Sequence, residues 1–159
     1  PNLAQETPDT LTALYEFDKF NLIWDSAMGI DNGPYDKSHG IAFIGDYATL
    51  ILNRDGWEVI EESGNEKKVA KPFLKATDNG LDKHTQNFID AIRLNDPSKV
   101  KCTIKDGEIV ATVAQMGNIS YRSGKKLHWD FSKNKFSDNK INSKYFTNKY
   151  HNGYKLKLT

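Results

Sequence analysis

The sequence predicts an α+β fold, with an open, mostly antiparallel sheet and helices packed on one face. Apolar residues alternate with polar ones in two runs between Asp9 and Asp25, the period of half-buried strands, and three more short strand-like runs follow by Glu61. Apolar residues recur at helical spacing in two later stretches, and this order of strands first and helices afterwards argues against alternating parallel units. With 159 residues, 38% hydrophobic and 27% charged, the chain suits a single domain spanning residues 1–159.

The first strand begins at Asp9, with Leu11, Ala13, Tyr15 and Phe17 on one side and Thr10, Thr12, Leu14 and Glu16 opposite. Phe20, Leu22 and Trp24 open a second strand, and Asp18-Lys19 makes a hairpin connection that lacks the usual glycine. Gly29 to Pro34 is dense in turn formers and starts a loop reaching Ser38. Three strands follow at Ile41–Ile44, Thr49–Asn53 and Trp57–Glu61, giving a meander of at least five. Residues 62–79 read as mostly loop, with a short edge strand near Val69–Phe73.

Leu81, Phe88, Ile89 and Ile92 mark one face of a helix over Asp82–Leu94, closed by Asn95-Asp96-Pro97. Asp106 is placed to cap a second helix, whose stripe of Ile109, Val113, Met116 and Ser120 ends near Gly124. Ile89, Ile92, Val113 and Met116 are the residues expected on the sheet. Beyond Leu127 the chain becomes rich in Asn, Lys and Ser, which predicts an extended tail pinned by Phe136, Ile141, Tyr145, Phe146, Tyr150 and Tyr154.

Composition excludes several function classes. No apolar run approaches the roughly 18 residues of a membrane-spanning helix, so no membrane partner is expected. One cysteine, Cys102, and four scattered histidines supply no zinc spacing, so no metal is expected. Net charge is +1, with nine lysines against Asp130 and Asp138 from Lys125 to Thr159. Asn and Ser are interspersed and arginine is absent there, which reads as a solvated lysine face with no nucleic-acid partner. Residues 1–9 carry no leader pattern, so the chain reads as processed or excised and its compartment, cytoplasmic or periplasmic, stays open.

No G-x-G-x-x-G or phosphate-loop pattern occurs among the eleven glycines, so no cofactor-binding residue is assigned in this chain. The stretch from Trp24 through Gly33 to Gly40 instead gathers an indole, a phenol and an imidazole. Aromatic faces cover the C–H patches of a pyranose while short polar groups bond its hydroxyls, so Trp24, Tyr35 and His39 are the candidate substrate-binding residues. Asp36 and Lys37 are secondary members of the same loop. The same residues suit a plainer role, with Trp24 in the core and the loop shaping a sheet edge. Trp57 fits cross-hairpin packing, and the Trp129 neighbourhood reads as a helix-end staple.

Several stretches together resemble the C-terminal half of oxidoreductases of the Gfo/Idh/MocA family, relatives of glucose-fructose oxidoreductase and inositol dehydrogenase. They are Phe20–Asp25, Gly33-Pro34-Tyr35, Ser38–Gly45, Thr49-Leu50, Gly56–Ile60, His84–Ile92, Met116–Arg122 and Lys126–Asp130, in what looks like the family's order and over nearly the whole chain. The resemblance implies a parent enzyme whose N-terminal Rossmann domain binds NAD or NADP and whose C-terminal sheet closes over a sugar or polyol. It also implies a homo-oligomer built through that sheet.

This chain lacks the Rossmann domain, the Glu-Lys-Pro segment with the family's lysine, and the segment with its Asp and His pair. Ala70-Lys71-Pro72 is only an echo of the first. No catalytic residue is therefore carried over, and the chain alone is expected to be inactive: the substrate-binding and assembly part of a sugar or polyol oxidoreductase. A free-standing carbohydrate-binding or scaffold module without cofactor is the alternative. The particular sugar and the choice between NAD and NADP are not written in these residues.

Overall fold

The computed structural model describes residues 7–64, 66–146 and 152–154. Tyr150, His151 and the last lysines of the basic strip lie outside them. The fold is α+β, with three helices and eight strands among the described residues and every strand pair antiparallel. It divides into two compact units, Pro1–Lys101 and Cys102–Thr159.

The first unit opens with a hairpin of β1 (Thr10–Glu16) and β2 (Asn21–Ala27), in register from Thr10 opposite Ala27 to Glu16 opposite Asn21. Leu11, Ala13, Tyr15 and Phe17 take the more buried face, as their alternation predicts. Neither Asp18 nor Lys19 adopts the positive φ that a twisted two-residue connection favours. The tip is closed by Phe17 N–H donating to the Phe20 carbonyl at 3.0 Å and by their rings, stacked 4.6 Å apart.

The sheet of this unit runs β3 (Ile41–Ile44), β4 (Ala48–Leu52), β5 (Gly56–Glu61) and β6 (Lys71–Lys75) in consecutive order. The expected five-strand meander is thus corrected to a four-stranded one, with β1 and β2 forming a separate ribbon. The edge strand sits two residues later than expected because Glu61 Oε2 accepts the Val69 and Ala70 N–H groups (3.2 and 3.4 Å), holding those residues outside the ladder. Gly56 has φ +155° and a Cβ there would run into the Leu74 carbonyl, so β5 can lie against β6 only with glycine at this place.

Register sorts the sheet into two faces. Ala42, Ile51 and Glu58 lie across one, beside Ile44, Thr49 and Ile60. Ile51 and Thr49 are buried there, at 3% and 4% exposure. The other face carries the rows Ile41, Leu52, Trp57, Leu74 and Phe43, Leu50, Val59, Lys71. Ile41, Phe43, Trp57 and Leu74 keep between 40% and 58% of their surface exposed and Leu50, Leu52 and Val59 are half-buried, so this face is partly bare.

Helix α1 (Leu81–Arg93) starts where Asn79 Oδ1 accepts the Leu81 and Asp82 N–H groups. Ile89 and Ile92, expected on the sheet, stay 37% and 60% exposed, and only Ala91 of this helix is buried. A polar contact ties α1 to the turn that follows it. Asn87 donates to the Lys99 carbonyl (2.8 Å) and accepts from Lys101 N–H (2.9 Å), folding the following turn back onto the helix.

In the second unit, α2 (Ile104–Ser123) begins two residues before Asp106. Thr103 is the cap: its hydroxyl accepts Asp106 N–H (3.2 Å) while Asp106 Oδ2 accepts Thr103 N–H (2.9 Å). Asp106 therefore sits at the third helical position, where an acid completes the reciprocal pair. Gly124, at φ +64°, ends the helix as expected. The core of this unit is Ile119, Phe136 and Ile141, with Met116, Leu127, Trp129 and Tyr145 packed around it.

The predicted extended tail is corrected to a hairpin and a helix: β7 (Trp129–Asp130), β8 (Lys135–Phe136) and α3 (Asn139–Tyr145). Side chains replace missing backbone partners here. Asp130 Oδ1 accepts from the Ser132 hydroxyl (2.6 Å) and from the Ser132 and Lys133 N–H groups, and Asp138 caps α3 through Lys140 N–H (2.8 Å). Asn142 bonds both the N–H and the carbonyl of Phe136 (3.0 and 2.7 Å), acting as a third strand would.

The Ser132 hydroxyl, then Lys133, hold the Asp130 carboxyl well below the usual carboxylate range. A depressed folded pKa contributes stability that is present above the unfolded value, about 4, and lost as pH falls through the folded one. We predict that the chain loses stability in urea between pH 5 and pH 2, and that Asp130→Asn lowers stability at pH 7 and flattens that slope. Equal slopes for both proteins would exclude Asp130 as its source.

Candidate functional site

The loop joining β2 to β3 carries Tyr35 and His39, two of the three residues singled out from sequence. Tyr35 and Asp36 both lie in the left-handed region, at φ +59° and +54°, and Lys37 N–H donates to the Pro34 carbonyl at 3.3 Å. This is the geometry of a primed two-residue turn, normally given to Asn-Gly, and it costs non-glycine residues roughly 1–2 kcal/mol each. Gly33 is fixed by close approach: its N–H reaches the Lys37 carbonyl at 3.1 Å, and a Cβ would stand 2.5 Å from that oxygen.

What holds the loop is Lys37. Its Nζ lies 3.2 Å from Glu58 Oε1 on β5 and 4.9 Å from the centre of the Phe73 ring on β6. Both charged side chains are only about a quarter exposed, 27% and 25%, which makes this pair less screened than a surface one. Lys37 therefore anchors the loop to the sheet, and Tyr35 and Asp36 project from the strained tip.

The three candidate residues occupy three different settings. Trp24 stands on β2 opposite Ala13 and is 57% exposed, so it is a surface indole and not a core one. Tyr35 is 42% exposed at the turn. His39 is exposed, with Nδ1 3.1 Å from Ser38 Oγ, which leaves its other ring nitrogen to donate or accept. Among the described hydrogen bonds and ring contacts, none joins any two of the three. Each is exposed, and no described contact gathers two of them into one site.

The second unit holds a concavity. It has a volume of about 300 Å³ and lies wholly within that unit. Ile119 and Phe136 form its floor, with Met116, Trp129 and Phe146 around them. Trp129, read from sequence as a helix-end staple, packs edge-on to Phe136 (centroids 5.0 Å, 84°) and 6.0 Å from Phe146. The rim is polar: Glu108, Thr112 and Gln115 from α2, and Asn134 from the β7–β8 turn, whose amide donates to Glu108 Oε1 at 3.4 Å. The recurrence of aromatics at Trp129, Phe136 and Phe146 was the available signal. It could not reveal the rim, which depends on Asn134 turning back at φ +48°.

No group of three metal-ligating side chains and no helix long and apolar enough to cross a membrane occurs among the described residues. No protein-family model matches the chain, and neither a curated protein nor a solved structure matches it.

The anchoring role of Lys37 has a measurable consequence. Lys37→Met should cost about 1 kcal/mol, and a double-mutant cycle with Glu58→Gln should return a coupling of roughly 0.5–1 kcal/mol. Amide exchange at residues 35–39 should quicken in Lys37→Met. Additive effects with unchanged exchange would show that the loop is held by something else.

Proposed function

We propose that this chain is the substrate-facing and assembly part of an NAD(P)-dependent sugar or polyol oxidoreductase, inactive by itself. The observation that carries the reading is the partly bare face of the β3–β6 sheet, with Ile41, Phe43, Trp57 and Leu74 exposed. Monomers rarely leave so contiguous an apolar surface open, and the family that the sequence resembles would employ it for self-association. Support also comes from the exposed Trp24, Tyr35 and His39, which offer two aromatic faces and one bifunctional nitrogen to a polyol.

Hydride transfer needs a nicotinamide held against the substrate carbon and a base at the hydroxyl proton. The sequence has no dinucleotide glycine pattern and no Glu-Lys-Pro lysine, so a Rossmann partner domain would supply both. Lys71, the residue that echoes that lysine, is an exposed member of edge strand β6, paired opposite Val59. With part of the cleft contributed from elsewhere, sugar affinity of this chain alone should be millimolar or weaker, roughly 4 kcal/mol at most.

Two measurements test the reading. Hexoses and polyols titrated against the isotopically labelled chain should shift the resonances of Trp24, Tyr35 and His39, and Trp24→Ala with His39→Ala should abolish the response; shifts confined to other regions would remove this site. Light scattering should find an oligomer that Phe43→Lys dissociates. A strict monomer at high micromolar concentration, or an oligomer indifferent to Phe43→Lys, would remove the assembly role from this face.

A further inference from the structure

We infer that the concavity of the second unit is a carbohydrate site of its own, taking a neutral pyranose or cyclic polyol, separate from the loop of the first unit. The face of α2 that borders it changes character along its length. Along one stripe it presents Glu108, Thr112 and Gln115, with Ala111 between them, and then Met116 and Ile119. A protein segment packed there through apolar side chains would strip water from those three groups and return no hydrogen bonds. A ligand with an apolar face and hydroxyl edges meets both halves.

The chemistry of the lining narrows the class. Trp129 and Phe146 offer ring surface above a floor sealed by Phe136, which is 2% exposed and leaves no room for deeper entry. Stacking against the C–H face of a six-membered sugar ring is what such a wall accepts. At the rim, the Glu108 carboxylate and the Gln115 and Asn134 amides are planar groups that can each bridge adjacent hydroxyls. Glu108 has only a long bond, 3.4 Å, from Asn134, so its lone pairs remain available.

Among the residues lining the cleft, none is a cation and Glu108 is the one charged group, which disfavours a phosphorylated or otherwise anionic ligand. The unit as a whole is rich in lysine, which disfavours a cationic one. A neutral polyol remains. The volume of about 300 Å³ is at the small end of ligand sites and suits one ring, not an extended oligosaccharide.

The test uses the whole labelled chain, following the Trp129 indole N–H during titration with methyl α-glucopyranoside, myo-inositol, cyclohexanol and glucose 6-phosphate. The expected result is a saturable millimolar shift with at least one of the two neutral polyols, weaker or absent with the other two probes. Glu108→Ala and Gln115→Ala leave the floor intact and should each weaken binding at least about fivefold, while Trp24→Ala and His39→Ala leave it unchanged. No saturable shift with either polyol, cyclohexanol binding as tightly as the sugars, or indifference to both rim variants would overturn the proposal. Because the loop residues report separately, failure here leaves the reading of the loop standing, and failure there leaves this one.

Discussion

The first unit depends on the register of one strand. β4 is paired on both sides, and its five residues divide between the two faces of the sheet: Thr49 and Ile51 buried on one, Ala48, Leu50 and Leu52 half-buried on the other. A slip of one residue would exchange the two sets and expose Ile51. The same register puts Glu58 beside Ile51, where Lys37 can reach it, and puts Trp57 beside Leu52 on the partly bare face. The loop anchor and the apolar surface are therefore two products of a single alignment.

The second unit is built on a different balance. Its buried apolar residues are few, Ile119, Phe136 and Ile141 among those that frame the core, and its turns are closed by short polar side chains bonding backbone groups. Asn142 illustrates the economy of this arrangement. By meeting both polar groups of Phe136 it allows a strand of two residues to exist without a longer ladder, and it sets α3 against β8.

Most of the architecture was legible because it rests on periodicity. Leu11 to Phe17 alternate and form a strand; Gly56 tolerates the conformation its hairpin requires; Gly124 stops a helix. What escaped rests on side chains reaching across turns. Asp106 looks like a cap until Thr103 is seen to share the task, and the polar tail looks extended because Asp130, Asp138 and Asn142 give no periodic signal. The candidate site rests on composition alone. Sequence gathers Trp24, Tyr35 and His39 into one neighbourhood, but it does not show that Lys37 is spent on Glu58 or that Tyr35 sits at a left-handed turn.

The two edges of the four-stranded sheet are unlike. β6 carries Lys71, Pro72 and Lys75, so one of its residues has no N–H to offer and two more bring charge. β3, Ile41-Ala42-Phe43-Ile44, has neither proline nor charge. Proline and charge therefore oppose the pairing of a further strand along β6, and neither does so along β3.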